Sequence, residues 1–365
     1  MITVILVTCL LVTLPAIARP TLPFGVRVSA ERATDPAVAG ARRLYTRGVV
    51  GAGVLAVPAT FWVPVGVVVA VLVAAGLALH FVAHRRIMAA KRAGGWSAER
   101  RQGVTVDTGF RTDPVRLPWL WALPAAAVLL LTAGLGWVRY GSLPATLPAF
   151  PGYGGAARVP TTPLSAFEPV LAQVAVTVVG LLATLAVLRA RPDLDAARPR
   201  GSARRYRAYL RGVAVLSLLA VAAVNLSLAV SALLQWEVVR PGPLWQVAAF
   251  APFVVLAAVW VAWEFRVGQA GHRLPALPGE EQEDSGVVQR DDDRHWFLAG
   301  AVYANRRDPA FLVHARIRSG SWTLNLGHPL AWVLVAGVAL VGLLALSGVL
   351  DLPERPSLFG SPSGV

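Results

Sequence analysis

"GVVGAGVLAVPATFWVPVGVVVAVLVAAGLALHFV", Gly48–Val82, contains no Asp, Glu, Lys or Arg. A helix of about 20 apolar residues crosses the hydrocarbon core of a bilayer. This run is too long for one upright helix and short for two. Pro58 and Pro64 bracket Ala59–Val63, and a proline inside a helix removes a backbone N–H and clashes with the preceding turn. Either one kinked helix or a tight helical hairpin follows.

The flanking charge decides between them. Arginine is dense in four segments, 19–47, 83–116, 189–211 and 266–328. It is sparse elsewhere: Arg139 and Arg158 in 139–166, Arg240 in 235–243, and Arg355 in the C-terminal tail. Basic connectors stay on the cytoplasmic side of a membrane protein. A hairpin turning near Pro58–Pro64 places all four basic segments on one side, whereas a single kinked helix exports the arginines of 19–47.

Further apolar runs lie at Ile2–Ala18, Leu117–Val138, Phe167–Leu188, Gly212–Leu234, Leu244–Phe265 and Pro329–Leu350. Ile2–Ala18 has no basic n-region and reads as a retained span. The chain is only 15% charged, with a mean hydropathy of +0.58, against the ~25% charged residues of soluble domains. The expected fold is an all-α transmembrane bundle of eight spans, both termini outside, with a small cytoplasmic β-rich insert before the last span. The alternative has seven spans and a cytoplasmic N-terminus. The parts are 1–138 (first spans and basic loops), 139–265 (external loop and central spans), 266–292 (flexible cytoplasmic linker), 293–332 (insert) and 329–350 (last span).

The net charge of +14 raises nucleic acid as a partner, but arginines in short connectors serve as topology signals, so none is expected. Ala, Val, Leu, Gly, Pro and Arg dominate, as in a GC-rich bacterial genome, and Lys91 is the only lysine. The expected location is the plasma membrane, the bilayer itself being one partner. Cys9 stands alone, so no internal disulfide or cysteine metal cluster can form. No Walker loop, dinucleotide fingerprint, nucleophile elbow or zinc-protease helix occurs; no enzyme, cofactor or metal site is expected. His80 and His84 share a helix face, but a metal site needs further ligands. Asp291–Asp293 offers hard oxygen donors, although Arg290 and Arg294 flank it and a helix or strand start is the simpler account. Asn225 and Glu168 are the notable polar groups within or near spans, where such groups bond to a neighbouring helix or mark a path.

The soluble insert is "DRHWFLAGAVYANRRDPAFLVHARIRSGSWTLNLGHPLAW", Asp293–Trp332. Its pattern predicts a strand over "HWFLAGAVYAN", a turn at Asn305–Pro309, a second strand over "AFLVHARI" and a third extended piece, lying on the cytoplasmic membrane surface. Trp296, Tyr303, Trp322 and Trp332 suit the aromatic belt of the interface. The external loop 139–166 is rich in Pro, Gly, Tyr and Phe and reads as a rigid cap, with capture of a hydrophobic peptide as its functional alternative.

Asp293, Trp296, Gly300, Tyr303, Asn305, Asp308, Pro309, Val313, Arg316, Trp322, Thr323, Asn325, Pro329 and Trp332 together resemble the motif of domain of unknown function 5808. Leu143, Pro144, Pro148, Phe150 and Gly155, with Phe167–Pro169, resemble domain of unknown function 1648, though Ala149 stands where that pattern has His and its Pro-Asp pair is missing. Pro23–Val28 also resembles a first-loop phrase of such proteins. They are distantly similar to the immunity family that protects bacteria from the sporulation-delaying toxin. The resemblance implies a non-enzymatic sensor that binds an extracellular peptide through the external loop and docks a cytoplasmic regulator through the insert. A transporter or permease-like subunit, its path passing Asn225 and Glu168, is the alternative.

Overall fold

The computed structural model describes residues 1–96, 101–150, 157–317 and 320–347. Among the described residues, five helices are long and apolar enough to cross a bilayer: Val65–Ala93, Trp119–Ser142, Pro163–Leu188, Pro199–Gln235 and Pro243–Gly271. A helix of this kind satisfies its own backbone in lipid, and the chain is a membrane protein.

The Gly48–Val82 run is divided between two helices, α2 (Pro36–Ala59) and α3 (Val65–Ala93). Asp35 starts α2, its carboxylate accepting the Ala37 N–H at 2.9 Å, with Pro36 at the first position, where a missing N–H costs nothing. Past Pro58 the chain turns: the N–H groups of Trp62 and Val63 donate to Ala59 O at 3.1 and 2.9 Å. α1 (Ile2–Ile17) packs on both helices. Small residues permit that approach. A Cβ on Gly53 would lie 2.4 Å from Thr8 Cγ2, and the Tyr45 hydroxyl donates to Leu11 O at 3.0 Å.

The chain divides into two compact units, 1–113 with 190–209 and 263–337, and 114–189 with 210–262 and the chain from 338. The second holds α4 (Leu123–Arg139) and α5 (Pro163–Leu188), with parts of α6 (Pro199–Gln235) and α7 (Pro243–Val267). Thr162 and Ser165 form a reciprocal capping box at the start of α5. Near the other end of α6, the Trp236 indole donates to Ala166 O at 2.8 Å, over a core containing Leu147, Val170 and Ala232.

α6 has 37 residues, about 55 Å at 1.5 Å per residue and far more than a hydrocarbon core. Its first turns carry Arg200, Arg204, Arg205, Arg207 and Arg211. The sequence places 189–211 in a connector and the apolar run at Gly212–Leu234, but the helix already begins at Pro199. The helix starts earlier because the Glu283 carboxylate accepts from the N–H groups of Arg200 and Gly201 at 2.8 and 2.9 Å, meeting the unpaired donors of its first turn.

Strands are few and short. β1 (Gln102–Gly103) pairs in parallel with β4 (Val288–Gln289), and β2 (Thr146–Pro148) pairs antiparallel with β3 (Arg158–Pro160). In the insert, β5 (Trp296–Phe297) pairs with β6 (Val302–Tyr303), and β7 (Leu312–His314) with β8 (Trp322–Leu324), both antiparallel. The last helix among the described residues, α8, covers Pro329–Leu346. "HWFLAGAVYAN" is thus a hairpin in itself, not one strand. It turns at Leu298–Gly300, where φ is +47°, +55° and +91°, while Asn305–Pro309 forms a loop ordered by side chains. The sequence carried no Asn-Gly or Asp-Gly signal to betray the true turn.

The segment read as a linker, 266–292, has little regular structure but several anchors. Glu280 pairs with Arg204 at 2.6 Å, Ser285 Oγ donates to Ala196 O at 2.6 Å, and β4 joins β1.

Candidate functional site

The four arginine-rich segments meet in the first unit. Arg19 pairs with Asp193 at 3.2 Å and Arg27 with Asp292 at 3.1 Å. Lys91, near the end of α3, pairs with Asp293 at 2.7 Å, and Arg207 Nη1 donates to Asp113 O at 2.7 Å. Each contact joins two segments that are remote in sequence.

At the centre are four cations, Arg19, Arg27, Lys91 and Arg316, and four carboxylates, Asp193, Asp291, Asp292 and Asp293. Arg316 is 2% exposed. It bonds to Asp292, to Asp293 at 2.5 Å and to Gly25 O at 3.1 Å, with its guanidinium 4.6 Å from the Trp296 ring centroid. Lys91 Nζ donates to Asp291, Asp293 and Arg27 O, all at 2.7 Å, so its three protons are used. Isolated buried charges cost several kcal/mol each, and only such mutual pairing offsets that. The aspartate triplet, read as a strand start or cation ligand, therefore serves as the acceptor set for internal cations.

Electrostatics follow the geometry. Burial alone would raise the Asp193 and Asp292 carboxyls. Arg19 and Arg27 instead hold Asp193 well below the usual carboxylate range, and Arg316 and Arg27 hold Asp292 down to about 2. Gln269, 1% exposed, threads the same site: its Oε1 accepts from Arg19 N at 3.1 Å and its Nε2 donates to Ala315 O at 3.1 Å. Sequence reasoning missed Arg19, Arg27, Asp193 and Gln269 because their partners lie far along the chain. The lone lysine was the one local hint.

Most insert residues named from sequence converge here. Trp296 and Tyr303 are buried, ring centroids 4.9 Å apart, around Val313. The Trp296 indole donates to Asp292 at 3.2 Å, and the Tyr303 hydroxyl donates to Asp308 at 2.8 Å; Asp308 also pairs with Arg191. Asn325, fully buried, accepts from the N–H groups of Asn305 and Gly327 and donates to the carbonyls of Asn305, Asp308 and Ala310, all within 3.0 Å. Asn305 and Asn325 thereby order the loop that contains the exposed Pro309. Trp322 lies 5.0 Å from the His314 ring. The belt reading fails for Trp296 and Tyr303, which pack inside the insert because their polar tips find protein partners; Trp332 remains 57% exposed. His80 and His84 contact the backbone carbonyls of Ala299 and Phe24 at 3.3 and 2.8 Å.

His314 is buried with its Nε2 3.4 Å from the Tyr209 hydroxyl. Burial pushes its pKa down to about 3, with Arg19 acting in the same direction. A histidine neutral in the fold but charged when unfolded contributes stability that is complete above pH 6.5 and declines as pH falls toward 3. The slope is at most ~1.4 kcal/mol per pH unit. Thermal melting of detergent-solubilised protein should show this decline, to which the half-buried His272, lowered to about 4, adds with the same sign, and His314→Gln should make it shallower between pH 6 and pH 4, above the range in which Asp292 titrates.

Beside the network lies a cavity of about 480 Å³. Its lining includes five cations and six carboxylates, with Trp96 on one wall. Such near-neutral walls suit a zwitterionic or peptide-like group better than a polyanion.

In the second unit, the described residues of loop 139–166 are held by the β2–β3 hairpin and its neighbours. Pro148 ends β2, Pro144 is exposed with its carbonyl accepting from Thr161 Oγ1 at 2.5 Å, and Leu143 packs near the fully buried Leu147. Phe150 is half-buried, and Gly155 lies outside the described residues. Arg158 braces the hairpin, donating to Thr146 O at 2.6 Å and pairing with Glu237 at 2.7 Å. Asn225 is fully buried and donates to Ala125 O at 3.1 Å and Thr177 Oγ1 at 2.9 Å, while Gln173 Nε2 donates to Asn225 O at 2.7 Å. Among the described residues no hydrogen bond brings Glu168 into that cluster.

No known protein family, curated protein or solved structure matches the chain.

Proposed function

We propose that the chain is an eight-span plasma-membrane protein whose charged module lies inside the cell, and that it acts without catalysis as a sensor of the immunity type. The meeting of all four arginine-rich segments carries this reading. Those segments share one side only if α2 and α3 form a hairpin across the membrane, and basic connectors mark that side as cytoplasmic. The insert is clamped by ion pairs to the first loop and the end of α3, so helix movement would alter the surface it presents to a cytoplasmic regulator. The external hairpin, apolar and proline-braced, is the surface offered to a hydrophobic peptide.

The test is genetic. In cells of the source bacterium, removing 293–325 should abolish any peptide-resistance or expression response, while a chain altered at Leu143 and Phe150 should lose peptide binding yet keep its regulator. An unchanged response in both variants defeats the sensor reading.

A permease-like role has one observation in its favour. Among the described residues, Gln173 Oε1 and Asn225 Oδ1 are buried acceptors without a hydrogen-bond partner, and polar groups within spans often mark a path. Asn225→Leu and Glu168→Gln should then change solute uptake or efflux, an effect the sensor reading does not expect.

A further inference from the structure

Phe297 and Leu298, at the tip of the first insert hairpin, are 52% and 69% exposed, although Trp296 and Tyr303 beside them are packed inward. The turn holds them out. Leu298 and Ala299 both adopt positive φ, +47° and +55°, a conformation costly for residues with a Cβ. It persists because the turn is gripped from behind: Ala299 O contacts His80 Nε2 at 3.3 Å, and a Cβ on Gly25 would meet Ala299 O at 2.5 Å. Phe24, wedged between Tyr45 and His80 with ring centroids 5.3 Å away in each case, fills the space on the protein side. The two apolar side chains therefore cannot turn inward.

The height of this contact on α3 identifies what covers them. His80 precedes Arg85 by five residues, so the tip is held about 7.5 Å toward the apolar end of the helix from the first basic residue. Leu77 and Phe81, flanking His80 on α3, are themselves 56% and 45% exposed, which is the lipid-facing surface of a spanning helix. Elements that rest on a bilayer bury their apolar side chains about 5–10 Å into the boundary between headgroups and acyl chains. The depth and the chemistry agree.

We propose that the Phe297–Leu298 tip is a membrane-inserted wedge that seats the insert in the acyl region of the adjacent leaflet. The insert is then a partly monotopic element anchored by lipid as well as by ion pairs. This holds on whichever side of the membrane the module lies, so it does not depend on the sensor reading.

The test uses the full chain in phosphatidylcholine–phosphatidylglycerol vesicles, with Cys9→Ser and a single nitroxide-labelled cysteine at 298, 81 or 306. The oxygen-to-nickel-complex accessibility ratio at 298 should match that at 81 and exceed severalfold that at 306, an exposed arginine of the same insert. Photo-leucine at 298, nearly isosteric with the native side chain, guards against a fold disturbed by the label and should yield a phospholipid adduct. A ratio at 298 equal to that at 306, or photo-adducts to protein alone, overturns the proposal.

Discussion

Arg316→Met is expected to lower the stability of the first unit by about 3–5 kcal/mol, the usual result of removing one partner from a buried ion pair. The methionine fills much of the space and keeps the packing against Trp296, so the loss is electrostatic. Asp292 and Asp293 would retain Arg27 and Lys91 but lose the cation that contacts both. Melting of the detergent-solubilised protein measures it. The double variant Arg316→Met/Asp292→Asn, which restores the charge balance, should recover a clear part of the loss. Equal melting of the single variant and the parent would show that the network is solvated and contributes little.

Gly25→Ala comes next in size. A methyl group there would sit 2.5 Å from Ala299 O and 3.2 Å from Gly300 Cα, on a backbone at φ +77°. Neither obstacle is a side chain that can swing aside. The first loop must lift from the insert hairpin, weakening the Gly25 O to Arg316 contact with it. We expect a cost above ~3 kcal/mol, together with new protease sensitivity at Arg27. Gly40→Ala in α2 meets nothing within 4 Å and should instead stabilise by about 0.5–1 kcal/mol, as glycine-to-alanine changes inside helices do. The contrast between the two separates the close approach of two backbones from general helix propensity.

What was legible in the sequence was whatever depends on neighbours along the chain. Apolar run length located the long helices, and the spacing of Pro58 and Pro64 located the break between α2 and α3. The start of α6 was hidden because the carboxylate that caps it, Glu283, lies 83 residues from Arg200. The insert turn at Leu298–Gly300 was hidden for a related reason: its left-handed residues are stabilised by Gly25 and His80, not by local turn chemistry. The candidate site was half legible. Asp293, Trp296, Tyr303, Arg316 and Asn325 formed one pattern and do share one module. Their partners Arg19, Arg27 and Asp193 looked like ordinary topology arginines and a loop aspartate, since nothing local distinguishes a buried cation from a solvated one. Loop 139–166 showed composition only, and its anchor, Leu147, became visible through burial.

The four arginine-rich segments are proposed to share the cytoplasmic side. Single cysteines at 34, 142 and 306, all exposed positions, in a Cys9→Ser chain can be challenged with an impermeant thiol reagent in intact and permeabilised cells. Positions 34 and 306 should react only after permeabilisation, and position 142 should react in intact cells. Opposite behaviour of 34 and 306, or labelling of both from outside, would contradict that placement.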